Sequence, residues 1–254
     1  MNRRTVRGIV AIGVGGAAVA GLAGCGSADA GDAEPESRAF ALTGKVLTVD
    51  VDDSDVTLVP ADVTEVKVTR QVDGWELFGD GPSPVWRMES GRLTLRTGCG
   101  AVGNCEARHT VEVPRGIAVT VKSDNGKVTA SDFTEKLDLS TDNGDVVVRN
   151  TTGELRLASD NGNVRAEGIS ARKVRAETDN GDLKVRMKKA ADQLEASSDN
   201  GSVVVELPAG QAPYDVTARS DNGSSKVDVP EDGTSPRVVR AINENGNVTV
   251  RIAG

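Results

Sequence analysis

The second half of the chain alternates apolar and polar residues around a recurring tetrapeptide. In the stretch SSDNGSVVVELP, residues 197–208, the Asn200-Gly201 dipeptide is followed by an apolar side chain at every second position from Val203 to Leu207. A period of two along the chain is typical of a β-strand, and Asn-Gly is a favoured dipeptide in tight turns. This stretch therefore predicts two short strands that meet at a corner.

The same pattern occurs seven times, with successive spacings of 18, 18, 19, 20, 22 and 23 residues. Each unit reads apolar-x-apolar-x-Ser/Thr-Asp-Asn-Gly-x-apolar-x-apolar, with small departures in the last two copies. Periods near 20 residues are typical of solenoids, in which each unit buries its apolar face only against its neighbours. The seven pairs are Asn125-Gly126, Asn143-Gly144, Asn161-Gly162, Asn180-Gly181, Asn200-Gly201, Asn222-Gly223 and Asn245-Gly246.

Two all-β architectures fit this local pattern. In an antiparallel meander every Asn-Gly pair is a two-residue hairpin, whereas in a parallel β-solenoid, or β-helix, it is the corner of a coil of about 18–23 residues. Only 2% of the residues are aromatic, and a narrow prism can be filled by Val, Leu, Ala and Ser. We therefore predict the solenoid, with the meander as the alternative.

The chain divides into four segments. Residues 119–254 hold the regular Asn-Gly repeats, and residues 38–118 hold degenerate coils with an aromatic loop and a cysteine loop. Among the predicted degenerate corners are "DDSD", within 52–55, and "ESGR", within 89–92, each flanked by alternating apolar residues. Residues 25–37 are small, acidic and without apolar periodicity, which predicts a disordered tether. Residues 1–24 are predicted to be a signal peptide.

The stretch VEVPRGIAVTVKSDNGKVTASDFTEKLDLSTDNGDVVVRNTTGELRLASDNGNV, which begins at Val111, resembles the bacterial β-strand-repeat "putative adhesin" family. Units of that family follow a "v-x-V-P" strand and carry Ser-Gly where this chain has Asn-Gly. The resemblance covers about residues 42–254. It implies a β-helix-like domain of unknown function in a bacterial envelope protein, and it supplies no catalytic residues.

The N-terminus has the features of an export signal. Three arginines precede an uncharged apolar run from Gly8 to Ala23, and the sequence Leu-Ala-Gly-Cys ends at Cys25. This ending resembles the lipobox of bacterial lipoproteins, which implies acylation of Cys25 and anchoring in the bilayer on the outer face of the cell membrane. An ordinary signal peptide or a short transmembrane helix, with Cys25 incidental, is the alternative.

Charge and composition exclude several functions. Loss of residues 1–24 removes three arginines and no acid, so the net charge goes from −8 to −11, which argues against nucleic acid as a partner. Outside the cytoplasm, Cys99 and Cys105 predict a disulfide closing a small loop, and a redox pair is the less favoured alternative. The single histidine, His109, has no accompanying His/Cys cluster, so no zinc or haem site is expected. No nucleophile or phosphate motif appears, so we predict that the protein is not an enzyme.

The repeated polar residues have a structural interpretation. Gly allows a positive-φ corner, stacked Asn side chains can hydrogen-bond from coil to coil, and Ser or Thr closes the end of the core. The alternative is a weak Ca²⁺ site, because stacked carboxylates repel one another and Ca²⁺ binds oxygen ligands. The carboxylates of that hypothesis are Asp124, Asp142, Asp160, Asp179, Asp199 and Asp221; no other cofactor is expected.

Three of the six aromatic residues lie in one non-repetitive stretch, residues 72–86. Trp75, Phe78 and Trp86 either cap the open end of the solenoid or form an exposed contact for a protein or glycan. Taken together, the sequence predicts a non-catalytic, lipid-anchored, extracytoplasmic interaction or scaffold module, whose partner is an envelope protein or a cell-wall glycan. A calcium-stabilised structural module is the alternative, and a carbohydrate-active β-helix enzyme is less favoured.

Overall fold

A computed structural model describes residues 29–77, 81–100, 102–210 and 213–254. The predicted signal peptide and Cys25 lie outside these residues. In the described part, no helix has the length and apolar character needed to cross a bilayer. The elements are a 3₁₀ helix, Ala30–Asp32, and strands β1 (Glu36–Phe40), β2 (Val46–Asp53), β3 (Asp55–Ala61), β4 (Val66–Glu76), β5 (Val85–Glu89), β6 (Arg92–Arg96), β7 (Gly103–Pro114), β8 (Ala118–Asn125), β9 (Val128–Ser131), β10 (Leu137–Asn143), β11 (Val146–Arg149), β12 (Leu155–Asn161), β13 (Val164–Ile169), β14 (Lys173–Asn180), β15 (Leu183–Met187), β16 (Gln193–Asn200), β17 (Val203–Leu207), β18 (Asp215–Asn222), β19 (Ser225–Asp228), β20 (Val238–Asn245) and β21 (Val248–Ile252).

The strands form two sheets that face each other across one core. Sheet A has the order β1-β4-β7-β3-β9-β11-β13-β15-β17-β21-β19, and sheet B has the order β18-β20-β16-β14-β12-β10-β8-β2-β6-β5. Each Asn-Gly corner carries the chain from a strand of sheet B to the next strand in sheet A, and the two strands form one coil. Neighbouring coils pair in parallel and in register, so Leu137 lies beside Leu155 and Asn143 beside Asn161. The solenoid prediction is confirmed, and the meander alternative is wrong for the Asn-Gly region.

The core is a stack of aliphatic side chains. Leu137, Leu139, Leu155 and Leu157 illustrate the pattern, because at most 1% of each is exposed while the residues between them face solvent. Burying a side chain of this size contributes about 1.5–3 kcal/mol, and aliphatic neighbours above and below allow close packing without aromatic rings. The period-two pattern therefore encodes both the strands and the continuous core.

Stacking order departs from chain order at the C-terminal end. The last coil in sequence, β20 and β21, lies between the β16–β17 coil and the β18–β19 coil. Val239 and Val250 of this last coil are at most 1% exposed, whereas Val216 and Val227 of the outer coil are half-buried. The more apolar coil occupies the inner position because it gains more from burial on both sides.

Chain order is also broken at the N-terminal end. The β2–β3 coil, with its corner at Ser54, stacks directly on the β8–β9 coil and separates it from β6 and β7. The segment around ESGR, predicted to be a degenerate coil, is instead an antiparallel hairpin of β5 and β6. Its corner residues Ser90 and Gly91 have φ of 49° and 78°, the left-handed pair that two-residue hairpins favour.

The predicted tether over 25–37 is wrong for its described part. The 3₁₀ helix lies within this segment, and β1 begins at Glu36 and pairs antiparallel with β4. Phe40 is the one apolar anchor of β1 and is 7% exposed, while Glu36 forms a 2.7 Å ion pair with Arg70. Backbone pairing of β1 with β4 orders the end of this segment, and such pairing requires no apolar periodicity in the sequence.

Candidate functional site

The corner glycines are required by the close approach of neighbouring coils. A Cβ atom on Gly144, Gly162 or Gly181 would collide with the carbonyl group of the corresponding glycine one coil away. Only Gly126, Gly201 and Gly246 among the seven have a positive φ in the left-handed range, so the expectation of a positive-φ corner is wrong for the other four. The shared requirement is the space that a side chain would occupy.

A ladder of asparagine side chains runs along the corner edge, as the repeat predicts. The Asn143 Nδ2 donates to Asn125 Oδ1 at 2.9 Å, and Asn161 donates to Asn143 at 3.1 Å. The ladder begins at Asp53, which accepts from Asn125, and ends with the donation from Asn222 to Asn245 at 3.1 Å. The intervening steps are Asn180 to Asn161, Asn200 to Asn180 and Asn245 to Asn200. These bonds link all seven corners to one another and to the β2–β3 coil.

Buried hydroxyl groups close the core behind this ladder. Ser159 Oγ donates to the Gly144 carbonyl at 2.8 Å, and Thr178 Oγ1 donates to the Gly162 carbonyl at the same distance. Asn243 occupies this column in the last coil and donates to the Gly201 carbonyl at 2.7 Å. A buried polar group must be hydrogen-bonded to avoid a desolvation penalty, so this column serves the architecture of the corner.

The aspartate column of the calcium hypothesis is exposed along the same edge. Burial and then the charges of Asp160 and Asp199 raise the pKa of Asp179, so the negative charge of Asp179 is opposed by its two neighbours in the column. Within the described residues, the one group of three metal-ligand side chains that converge within 4.8 Å is Glu76 with Cys99 and Cys105. Its two sulfur atoms are joined in a disulfide, and the aspartate carboxylates form no such group.

Ion pairs organise the outward faces of both sheets. On sheet B, Arg175 lies 2.9 Å from Glu177 and 3.1 Å from Glu195. On sheet A, the side chain of Glu206 is only 6% exposed and accepts a 2.6 Å hydrogen bond from Arg251, with Lys184 at 3.5 Å. Burial alone would raise the pKa of Glu206, but the neighbouring cations outweigh burial and lower it. These charges stabilise neighbouring coils against each other.

The geometry favours no catalytic centre in the described part of the chain. A shallow depression of about 430 Å³ on sheet A is lined by Lys127, Val147, Arg165 and Val204 among others, without an aromatic ring. His109 is buried in the core with its Nδ1 3.0 Å from Ser54 Oγ, and burial together with the charge of Arg70 lowers its pKa to about 4. Such a histidine is neutral and closed to a substrate.

The two tryptophans have different environments. Trp86 packs against the core, with its ring 6.2 Å from that of Phe40 and the Arg70 guanidinium 4.0 Å above it, so it caps the solenoid. Trp75 lies near the end of β4 and is 40% exposed. Phe78, the third residue of the predicted aromatic loop, lies outside the described residues.

Trp75 belongs to a two-stranded ribbon that extends past the corner edge. One strand of the ribbon is formed by residues 72–76 of β4 and by Leu77, which follows β4, and the other strand is formed by residues 102–107. The flanking strands β1 and β3 do not extend to these residues. The Cys99–Cys105 disulfide, present as predicted, folds the preceding loop against the ribbon, where Gly100 N–H donates to Glu76. Leu77 is 60% exposed and Val102 is 52% exposed. Sequence reasoning missed these two residues because neither belongs to a periodic pattern.

Comparisons with known proteins place this architecture in context. No curated protein matches the chain. A crystal structure of a "putative adhesin" from Bacteroides fragilis is 14% identical, with a TM-score of 0.44, 87% of this chain covered and 97% of that one. A "putative cell adhesion protein" from Clostridium sporogenes is 12% identical, with a TM-score of 0.40 and coverages of 87% and 99%. Residues 87–254, two thirds of the sequence, match one family model, and the chain therefore belongs to the Toastrack DUF4097 family.

Proposed function

We propose that this protein is a non-catalytic interaction or scaffold module, held at the outer face of a bacterial membrane by acylated Cys25. The observation that carries the proposal is the single continuous core, which is bridged by the asparagine ladder into one rigid stack with ion-paired faces. Rigid stacks of this kind present extended surfaces to other macromolecules. The names of the two structures described above, which refer to adhesion, agree with this role.

Acylation of Cys25 is testable in the producing bacterium. The wild-type protein is expected to partition into detergent and to carry an added acyl mass on its N-terminal cysteine, and Cys25→Ser is expected to abolish both. Cys99→Ser is the matched control, since that thiol lies in the disulfide loop and its loss leaves the anchor in place. A wild-type protein that is fully water-soluble and unmodified would refute the anchor.

The interaction role predicts saturable binding to an envelope component. Residues 25–254 are expected to bind purified cell-wall glycan or an envelope protein fraction and to release no product from the glycan. Binding that survives disruption of the disulfide ribbon would place the contact on the sheet faces, whereas loss of binding would place it on the ribbon. Turnover of the glycan by the purified protein would refute the non-catalytic proposal.

A further inference from the structure

We propose that Trp75, Leu77 and Val102 form a membrane-contact surface, which rests on the bilayer interface beside the Cys25 anchor and fixes the orientation of the solenoid. The inference rests on the proposed lipid anchoring and adds to it a second, non-covalent contact with the same membrane. It follows from the exposure of these three side chains, from the face of the ribbon that they share, and from the point at which the N-terminal segment reaches that face.

The three side chains lie on one face of the ribbon. Along β4, Val66 and Val68 point into the core, so Trp75 and Leu77, which alternate with them, point outward. Leu77 N–H donates to the Val102 carbonyl at 2.9 Å, which places Val102 opposite Leu77 across the ribbon. Exposed fractions of 40%, 60% and 52% make these three side chains an apolar surface on one face of the ribbon.

The N-terminal segment, residues 29–33, contacts the same face of β4 at positions that precede Trp75 and lie closer to the core. The Asp29 backbone N–H donates to the Asp73 carboxylate at 3.0 Å, and Gln71 Nε2 donates to the Ala33 carbonyl at 2.9 Å. Asp73 precedes Trp75 by two residues on the same side of β4, a separation of about 7 Å along a strand. The chain that leads back to the anchor therefore starts beside the apolar surface.

The remaining length of chain restricts where the bilayer can lie. Four residue steps separate Asp29 from Cys25, and an extended chain of that length spans at most about 14 Å. With Cys25 acylated, the headgroup region must then lie within this distance of Asp29. The apolar surface at Trp75 lies within reach of the same region, whereas β19, at the far end of sheet A, is nine strand spacings from β4, about 43 Å along the axis.

The chemistry of the surface suits a lipid interface. Tryptophan concentrates at the boundary between headgroups and acyl chains, and a lipid anchor is strengthened by a second membrane contact. Two of the acidic neighbours are already engaged, because Asp73 accepts from the Asp29 N–H and Glu106 pairs with Arg108 at 2.7 Å. The contact should therefore depend on apolar insertion and should not require anionic lipid.

Coupling the protein to vesicles through its own anchor thiol provides the test. Cys99 and Cys105 are joined, so in residues 25–254 the Cys25 thiol is the one free thiol and reacts alone with a maleimide headgroup lipid. The vesicles are phosphatidylcholine, with or without acyl chains brominated near the headgroup, which quench nearby tryptophan. This step needs no acylation in the cell, so failure of the lipoprotein proposal and failure of this inference give different results.

Comparison of the wild-type chain with Trp75→Phe isolates the signal of Trp75 and leaves the capping Trp86 in place. We expect brominated lipid to quench the wild-type emission at least about twofold more than the Trp75→Phe emission. The double variant Leu77→Ser/Val102→Ser should reduce the quenching of Trp75. Adding phosphatidylglycerol or raising the salt concentration should leave the quenching unchanged.

A chain anchored at its other end is the matched control. In Cys25→Ser/Lys226→Cys the coupling thiol lies on β19, far from the ribbon, and Trp75 should then escape quenching. Equal quenching of the wild-type and Trp75→Phe chains would overturn the proposal and leave the exposed residues available to a protein partner. Quenching of Trp75 that disappears in salt would overturn the apolar basis of the contact.

Discussion

Replacing Gly162 by alanine tests whether steric closeness, and not backbone conformation, dictates the glycine at each corner. The added Cβ would lie 2.5 Å from the carbonyl carbon of Gly144, nearer still to its oxygen, and 3.0 Å from Ser159 Oγ. Ordinary contacts of a Cβ begin near 3.4 Å, so the two coils must separate locally by more than about 1 Å. Gly162 does not have a positive φ, so left-handed backbone strain contributes nothing to the effect.

The expected free-energy change follows from these contacts. Overpacking costs about 1–3 kcal/mol, and weakening the 2.8 Å hydrogen bond from Ser159 to Gly144 costs about 1 kcal/mol. The lower entropy of an unfolded chain with alanine offsets about 0.4–1 kcal/mol. The net destabilisation is therefore about 1–3.6 kcal/mol, which should lower the melting temperature by about 2–14 °C in a domain of this size.

Circular dichroism during thermal and denaturant unfolding measures this change. Gly233→Ala is the matched control, because no atom lies within 4 Å of the added Cβ and its φ is outside the left-handed range. It should leave the stability unchanged or raise it by a few tenths of a kcal/mol. If Gly162→Ala were as stable as Gly233→Ala, the steric explanation of the corner would be wrong.

Three further changes test the electrostatics and the ribbon. Glu206→Gln should destabilise the protein by about 1–2 kcal/mol at neutral pH, because Arg251 loses its charged partner at 2.6 Å. Folding lowers the pKa of Glu206, so the difference in stability from the wild type should vanish as the pH falls through the pKa of the folded state. Melting curves recorded over a series of pH values measure this. Asp179→Asn should raise the melting temperature, because folding raises the pKa of this acid and its charge therefore opposes folding at neutral pH. The increase should be smaller at high salt, which screens the charge. If Ca²⁺ raised the melting temperature of the wild type more than NaCl of equal ionic strength, the result would instead support the calcium hypothesis. Cys99→Ser/Cys105→Ser should lower the free energy of unfolding by about 2 kcal/mol, because the unfolded chain gains loop entropy. Proteases should then cut the ribbon while the solenoid stays protected. Cuts spread evenly along the chain would contradict a local role of the disulfide.

The sequence alone determined the repeating part of the molecule. Alternating Val and Leu residues define the strands, and each Asn-Gly pair marks a corner whose stacking yields the asparagine ladder. These features depend on residues close together in the chain and on identical neighbours, so a periodic pattern is enough to predict them. The disulfide could be predicted for a similar reason, since its two cysteines are separated by six positions.

Tertiary structure decided the order of the coils, the caps and the exposed ribbon. The β20–β21 coil lies inside the β18–β19 coil because burial on both sides rewards the more apolar unit, and no local pattern records that competition. Nor does the sequence near Trp75 and Trp86 show which ring is covered. Trp86 is partly buried against Phe40 and Arg70, which are 46 and 16 residues away in the chain. Pairing between distant segments fixes these features, because their free energy depends on which surfaces meet after the coils have formed.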